Sequence, residues 1–176
     1  DQQVEEIEEQ VTAVPLADTV GTNRYPDVYM EYIPNAIEKY VQEDSSVTIY
    51  SKNDIALKVS LLSNTIIRFR YARLGKFGKD FSYAIDPTFQ PKETPYIFEE
   101  KKSKISIQTK KLICEIAKDN MKVTLKDLKG NVICEDEQGY YARSTILNGI
   151  TEMKITKKAP KKEAYFGLGD KSCSLN

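Results

Sequence analysis

Short segments in which apolar and polar residues alternate fill much of the chain from Ser46 onward. A period of two is typical of β-strands that bury one face and expose the other. In residues 64–71, for example, Ile67, Phe69 and Tyr71 share one face, opposite two arginines. The pattern recurs at residues 47–49, 55–61, 105–107, 112–116, 121–125 and 153–155, and residues 165–168 begin a further segment.

Turn-forming residues separate these segments. Asn, Asp, Ser or Gly residues fall within positions 53–54, 63–64, 119–120 and 129–131. These residue types tolerate the backbone conformations of hairpin turns. No helical pattern lies between the later segments, so the crossover helices of a parallel sheet are missing. The chain is therefore predicted to be mainly β, an antiparallel sandwich or barrel.

Two regions depart from this pattern. Residues 1–32 form a leader, in which residues 4–11 place apolar side chains at helical spacing and predict a short helix that ends before Pro15. The rest of the leader is predicted to be irregular. Residues 72–100 contain two glycines and three prolines and predict a long irregular insertion between strands. Long insertions of this kind are often functional.

The charge of the chain is balanced overall but unevenly distributed. Residues 1–45 carry 11 acidic and 2 basic side chains, and the remainder carries 15 acidic and 24 basic ones. We expect the acidic leader to pack across the basic body or to stay solvated, and the basic run at residues 157–162 to be a solvated turn. With a net charge of zero, neither nucleic acid nor membrane is an expected partner.

Several kinds of chemistry lack their residues. The chain has no histidine, which excludes Ser–His and Cys–His catalysis and zinc sites of the histidine type. Its three cysteines, Cys114, Cys134 and Cys173, show no CxxC spacing. Cys114 and Cys134 fall within predicted strands, where a buried free thiol is favoured over a disulfide. No cofactor and no metal are therefore expected.

Carboxylates remain as candidates for catalysis. Glycoside hydrolysis needs two carboxyl groups that converge on the scissile bond. None of the candidates has a spacing that implies such a pair, and surface carboxylates are the ordinary alternative. The candidates are Asp80, Asp86, Glu99, Glu100 and Asp170. Taken alone, the residues indicate a mostly antiparallel β domain and no particular activity.

Four segments, taken in order, resemble one family. They are IALKV through NTIIRFRY at residues 55–71, IQTKKLICEI at residues 107–116, DLKGNVI at residues 127–133 and YFGLGDK at residues 165–171. Together they resemble the N-terminal domain of family 31 glycoside hydrolases, the α-glucosidase family. Asp170 stands where the family more usually has Glu. The resemblance covers residues 33–176 and leaves the leader out.

The resemblance implies a galactose-mutarotase-like β-sandwich at residues 33–176, incomplete at its C-terminal end. It also implies a downstream (β/α)₈ barrel, which carries the catalytic aspartates of a retaining enzyme that cleaves α-linked sugars from non-reducing ends. No catalytic residue is thus expected in this chain. Gly167, Gly169, Asp170 and Lys171 are candidates for the rim of the substrate site. A bulge at the two glycines and a turn at Asp170 are the structural alternatives.

Other functions fit the same residues. A free-standing carbohydrate-binding module is one alternative, because the insertion supplies aromatic side chains that include Phe77, Phe81, Tyr83, Phe89 and Tyr96. A protein-interaction domain that uses the acidic leader is another. The beginning of the chain, Asp1-Gln2-Gln3, is compatible with a mature form and slightly favours a periplasmic or secreted location.

Overall fold

Two antiparallel sheets pack face to face. The computed structural model describes residues 29–80, 86, 88–89, 91–145 and 149–160, with residues 149–151 described in their backbone only. Every regular element in this part of the chain is a strand. The strands are β1 (Tyr29–Tyr32), β2 (Ile37–Glu43), β3 (Ser46–Ser51), β4 (Ile55–Ser63), β5 (Ile66–Arg73), β6 (Ile97–Glu100), β7 (Lys104–Gln108), β8 (Leu112–Ala117), β9 (Val123–Asp127), β10 (Val132–Thr145) and β11 (Gly149–Lys157).

The two sheets have simple topologies. The smaller sheet has the order β2-β3-β4-β5, so neighbours in sequence are neighbours in space. The larger one has the order β6-β7-β8-β9-β10, and β10 also pairs with β1 and β11. Ala142 in β10 pairs with both Tyr32 and Met153, so β1 and β11 flank it on opposite sides. The predicted antiparallel β class is confirmed.

The hydrophobic core lies between the sheets. The smaller sheet contributes Val47, Ile49, Leu57, Val59 and Leu61, all at most 1% exposed. The larger sheet contributes the inward side chains of β7, β8 and β9, together with Met121. These are the apolar positions of the alternating segments, because only the inward face of each strand meets the opposite sheet.

Cys114 lies within this core. Its thiol is free and fully buried, as the sequence predicts, and burial raises its pKa. Cys134 is also free but only partly buried. Neither thiol forms a disulfide, so the interior is held by packing in the region that the structure describes.

Some strands were not predicted, or have different limits. Strand β1 lies inside the predicted leader, and β6 lies inside the predicted insertion, whose described residues between β5 and β6 form no strand. Both strands are four residues long and mostly exposed, so neither shows a clear alternation. The helix predicted at residues 4–11 and the strand predicted at residues 165–168 lie outside the described residues.

Strand β10 is bent where it leaves β9. Asp136 pairs with Lys157, but the next pair is Gly139 with Thr156, so β10 carries extra residues at this point. Gly139 has a φ of +77°, and an added Cβ would lie 3.2 Å from Oδ2 of Asp136. Only glycine meets both requirements without strain. The bend therefore depends on this residue.

A buried ion pair fixes the same bend. The Asp136 side chain has no exposed surface, while Lys157 keeps 38% of its side-chain surface exposed. Besides the Lys157 ammonium group, Asp136 accepts a hydrogen bond from the Val123 amide at 2.8 Å. The prediction that Lys157 belongs to a solvated turn is wrong, because β11 extends to this residue and points it at Asp136.

Among the residues that the structure describes, no helix is long and apolar enough to cross a membrane.

Candidate functional site

The predicted insertion begins as a strap over the outer face of the smaller sheet. The Gly75 amide donates to the Asp54 carbonyl at 2.7 Å, which holds the strap at one end of β5. Arg70 then donates to the Gly78 carbonyl at 3.0 Å. Arg68 holds Asp80 with two hydrogen bonds of 2.9 and 2.6 Å. The two outward arginines of β5 thus bind the backbone and the carboxylate of the strap.

The insertion ends at the opposite end of the sheet. There the Thr94 amide donates to the Ser45 hydroxyl at 2.8 Å, and Thr94 is only 4% exposed. Thr48 and Ala56 point to the outer face of this sheet, yet they are 7% and 0% exposed. The outer face of the smaller sheet is thus partly buried, and the described parts of the insertion are bound at both ends of this sheet.

Most described aromatic residues of the insertion are engaged in contacts with other side chains or the backbone. The Arg70 guanidinium lies over the Phe77 ring, 5.5 Å from the ring centroid. Tyr96 packs against the core and donates to the Glu43 carbonyl at 2.9 Å. Phe89 is 49% exposed. Phe81 and Tyr83 lie outside the described residues. No pair of exposed aromatic rings that could stack on a sugar is found among the described residues of the insertion.

Two candidate carboxylates of the insertion, Asp80 and Asp86, accept hydrogen bonds from an arginine and from a nearby threonine. Hydrogen bonds from Arg68 hold the pKa of Asp80 below its ordinary value. The pKa of Asp86 is lowered by hydrogen bonds from the hydroxyl and amide of Thr88, at 2.6 and 2.8 Å. A general acid in glycoside hydrolysis needs a raised pKa instead. Neither group therefore has the raised pKa of a general acid.

The candidate carboxylates of β6 are also paired. Glu99 forms an ion pair with Lys101 at 3.0 Å. Glu100 accepts hydrogen bonds from Lys118 and from the Tyr40 hydroxyl, which lower its pKa. The structure thus gives each of the four described candidates a local partner. It does not bring them together as a catalytic pair.

The rim candidates Gly167, Gly169, Asp170 and Lys171 lie outside the described residues. Asp170 is also the fifth candidate carboxylate. Their roles stay predictions. Within the described part of the chain, no group of three or more His, Cys, Asp or Glu side chains is placed to hold a metal ion.

A groove on the outer face of the larger sheet was not predicted from the sequence. It has a volume of about 740 Å³ and is lined mainly by lysine and acidic side chains. Glu115 binds Lys104 at 2.6 Å and Lys126 at 2.9 Å. Burial alone would raise the pKa of Glu115, but the two lysines outweigh burial and lower it. The charges at this groove largely satisfy one another, and no aromatic side chain of the described residues lines it.

Comparisons with known proteins agree on one family. Residues 56–176 match the family described as the glycosyl hydrolase 31 N-terminal galactose mutarotase-like domain. No curated protein matches the sequence. Among solved structures, the chain resembles a GH31 dextranase from Flavobacterium johnsoniae complexed with glucose. The TM-score is 0.66 at 20% identity, over 82% of this chain and 18% of that one.

Two further structures share the fold at lower similarity. The GH31 α-xylosidase from Xanthomonas citri gives a TM-score of 0.55 at 15% identity, over 68% of this chain and 13% of that one. The cycloalternan-forming enzyme from Listeria monocytogenes, in complex with its pentasaccharide substrate, gives 0.52 at 18% identity, over 66% and 11%. The chain thus spans less than a fifth of the length of these enzymes. It belongs to the N-terminal galactose mutarotase-like domains of family 31 glycoside hydrolases.

Proposed function

We propose that this chain is the N-terminal β-sandwich of an α-glycosidase that hydrolyses α-linked sugars from non-reducing ends. The family match over residues 56–176 carries the proposal. In this enzyme, the sandwich would pack on a retaining catalytic (β/α)₈ barrel that lies outside these 176 residues. The sandwich would also form part of the rim of the substrate site. The α-xylosidase among the structural neighbours supports cleavage of an α-linkage.

The charges of the described residues support a role without catalysis. Asp80 and Glu100 are bound to cations, and their pKa values are lowered rather than raised. An acid and a nucleophile that act on one sugar must lie about 5–5.5 Å apart in a retaining enzyme. On this account the catalytic carboxylates belong to the barrel, and the chain alone is inactive.

The proposed contribution to the substrate site comes from the segment YFGLGDK at residues 165–171. Glycines without side chains permit close approach of another backbone, which suits Gly167 and Gly169 to a contact with the barrel. Asp170 and Lys171 are proposed as polar groups at the rim. Barrel residues would set the sugar preference.

Calorimetric titration separates this role from that of a free-standing carbohydrate-binding module. We expect no heat of binding when millimolar maltooligosaccharide is titrated into the 176-residue chain, because the described aromatics are mostly engaged. Phe89→Ala is the matched variant, since Phe89 is the exposed aromatic residue among the described residues of the insertion. Saturable heat that Phe89→Ala removes would show a sugar-binding module instead.

A further inference from the structure

The tip of the β9–β10 hairpin exposes three large aliphatic side chains. Leu128, Val132 and Ile133 are 50%, 54% and 57% exposed, and they flank a single turn. Isolated apolar residues are ordinary on a protein surface, whereas a contiguous group of them marks a surface that binds a partner.

A β-bulge produces this exposure. Val132 pairs with Lys126 and Cys134 pairs with Leu125, so Ile133 is an extra residue of β10. In a regular strand, neighbouring side chains point to opposite faces of the sheet, and one of two neighbours would point at the core. At the bulge, Val132 and Ile133 are both exposed. The irregularity therefore enlarges the apolar surface of the hairpin.

The turn of this hairpin is fixed by its own hydrogen bonds. The Asp127 carboxylate accepts from the amides of Lys129 and Asn131, each at 2.9 Å, and from the Asn131 side chain at 2.7 Å. The Asp127 amide donates to the Asn131 carbonyl at 3.0 Å. A surface that is ordered before it binds loses little conformational entropy on binding. The hairpin is thus preorganised for a contact.

Unpaired lysines border the apolar tip. Leu112 pairs with Asp127, so Lys110 and Lys111 lie in the turn next to the hairpin, which itself carries Lys129. None of these three lysines has an ion-pair partner among the described residues, and the Asp127 carboxylate is bound within the turn. Such a surface fits a partner that offers an apolar site with acidic groups around it.

The course of the chain points to the partner. Lys157 pairs with Asp136, and the Lys158 amide donates to the Glu135 carbonyl at 2.9 Å. The chain therefore leaves β11 alongside β10 and runs toward the hairpin tip. Three strand residues separate Glu135 from Val132, a distance of roughly 10 Å. A domain that follows β11 in a longer polypeptide is thus tethered close to the exposed aliphatic residues.

We propose that the tip of the β9–β10 hairpin is a docking surface for the catalytic barrel. Leu128, Val132 and Ile133 insert into an apolar site on the barrel, and the neighbouring lysines face acidic groups around that site. The inference rests on the proposed function, which supplies the barrel, and it adds the surface of the sandwich that makes the contact.

Hydroxyl-radical labelling with mass spectrometry of peptides tests the proposal. The 176-residue chain is compared with a polypeptide in which the barrel follows it. We expect the labelling rate at Leu128, Val132 and Ile133 to fall severalfold in the longer polypeptide. Two internal standards should keep their rates: Val41 in β2, which is 50% exposed, and Ile107 in the core, which has no exposed surface.

The matching variant carries Val132→Ser and Ile133→Ser in the longer polypeptide. We expect the rate at Leu128 to rise to that of the 176-residue chain, with Ile107 still slow. The control variant is Ile97→Ser, which alters another exposed isoleucine of the same sheet, at 58% exposure, and should leave Leu128 protected. If the double variant exposes Ile107, Leu128→Ser replaces it, and the rates at Val132 and Ile133 become the readout.

Three results would overturn the proposal. The first is an equal rate at the hairpin in both polypeptides, even where the longer one hydrolyses an aryl α-glycoside. The second is a slow rate already in the 176-residue chain, which would show that its own residues or, if dilution abolishes it, a second copy cover the hairpin. The third is protection of Leu128 that the double variant does not alter. Protection without hydrolysis would support the docking surface and contradict the proposed activity alone.

Discussion

Replacing Asp136 with alanine should lower the free energy of unfolding by about 3 kcal/mol. Asp136 is fully buried and binds both the Lys157 ammonium group and the Val123 amide. Its removal leaves a buried N–H group without an acceptor. Loss of one partner of a buried ion pair costs about 3–5 kcal/mol. Because 38% of the Lys157 side chain remains exposed, the lower end of that range is expected.

Urea unfolding of Asp136→Ala and of Glu135→Ala measures this effect. Glu135 is the matched control, because it is the next residue of β10 and pairs with Lys158 at 2.9 Å in a more exposed setting. Exposed pairs contribute less than about 1 kcal/mol. Equal losses in the two variants would mean that the Asp136 pair has no special role in the bend of β10.

Replacing Ile107 with alanine should cost about 2–5 kcal/mol. Ile107 lies in β7 with no exposed surface, in the core between the sheets. The loss combines the transfer free energy of the removed carbons with the cavity that they leave. The effect is large because the cluster includes buried side chains of both sheets.

Ile97→Ala provides the matched control for Ile107→Ala. Both residues are isoleucines in neighbouring strands of the larger sheet, but Ile97 is 58% exposed. The substitution is the same at both positions, and the main difference between them is burial. Urea unfolding with an unchanged m-value should show that Ile97→Ala lowers the free energy of unfolding by less than about 1 kcal/mol. A similar loss in both variants would contradict the described packing of the sheets.

Most of the strands that the sequence predicts have one buried face; β11, predicted at residues 153–155, is the exception, because Met153 and Ile155 are exposed. Strands β3, β4, β5, β7, β8 and β9 meet the opposite sheet, so selection for burial leaves an alternating pattern. Strand β1 pairs with β10 but is mostly exposed. Its sequence has no such pattern, and the sequence alone therefore places it in the leader.

Contacts between distant residues explain the remaining differences. Lys157 belongs to a basic run that looks solvated, and its buried partner Asp136 lies 21 positions away. Only the register of β10 with β11 brings them together. In the same way, the glycines and prolines predict an irregular insertion. The hydrogen bonds from Arg68 to Asp80, however, depend on how the strap folds back over β5. The family, by contrast, is recognised from short segments in their order along the chain.

The most direct measurement of the central claim is the hydrolysis of aryl α-glucoside, α-xyloside and α-galactoside. The account expects no turnover above buffer by the 176-residue chain, and turnover of at least one substrate by a polypeptide in which the barrel follows it. Turnover by the 176-residue chain that is lost in Asp80→Asn or Glu100→Gln would contradict it, because the chemistry would then reside in the sandwich.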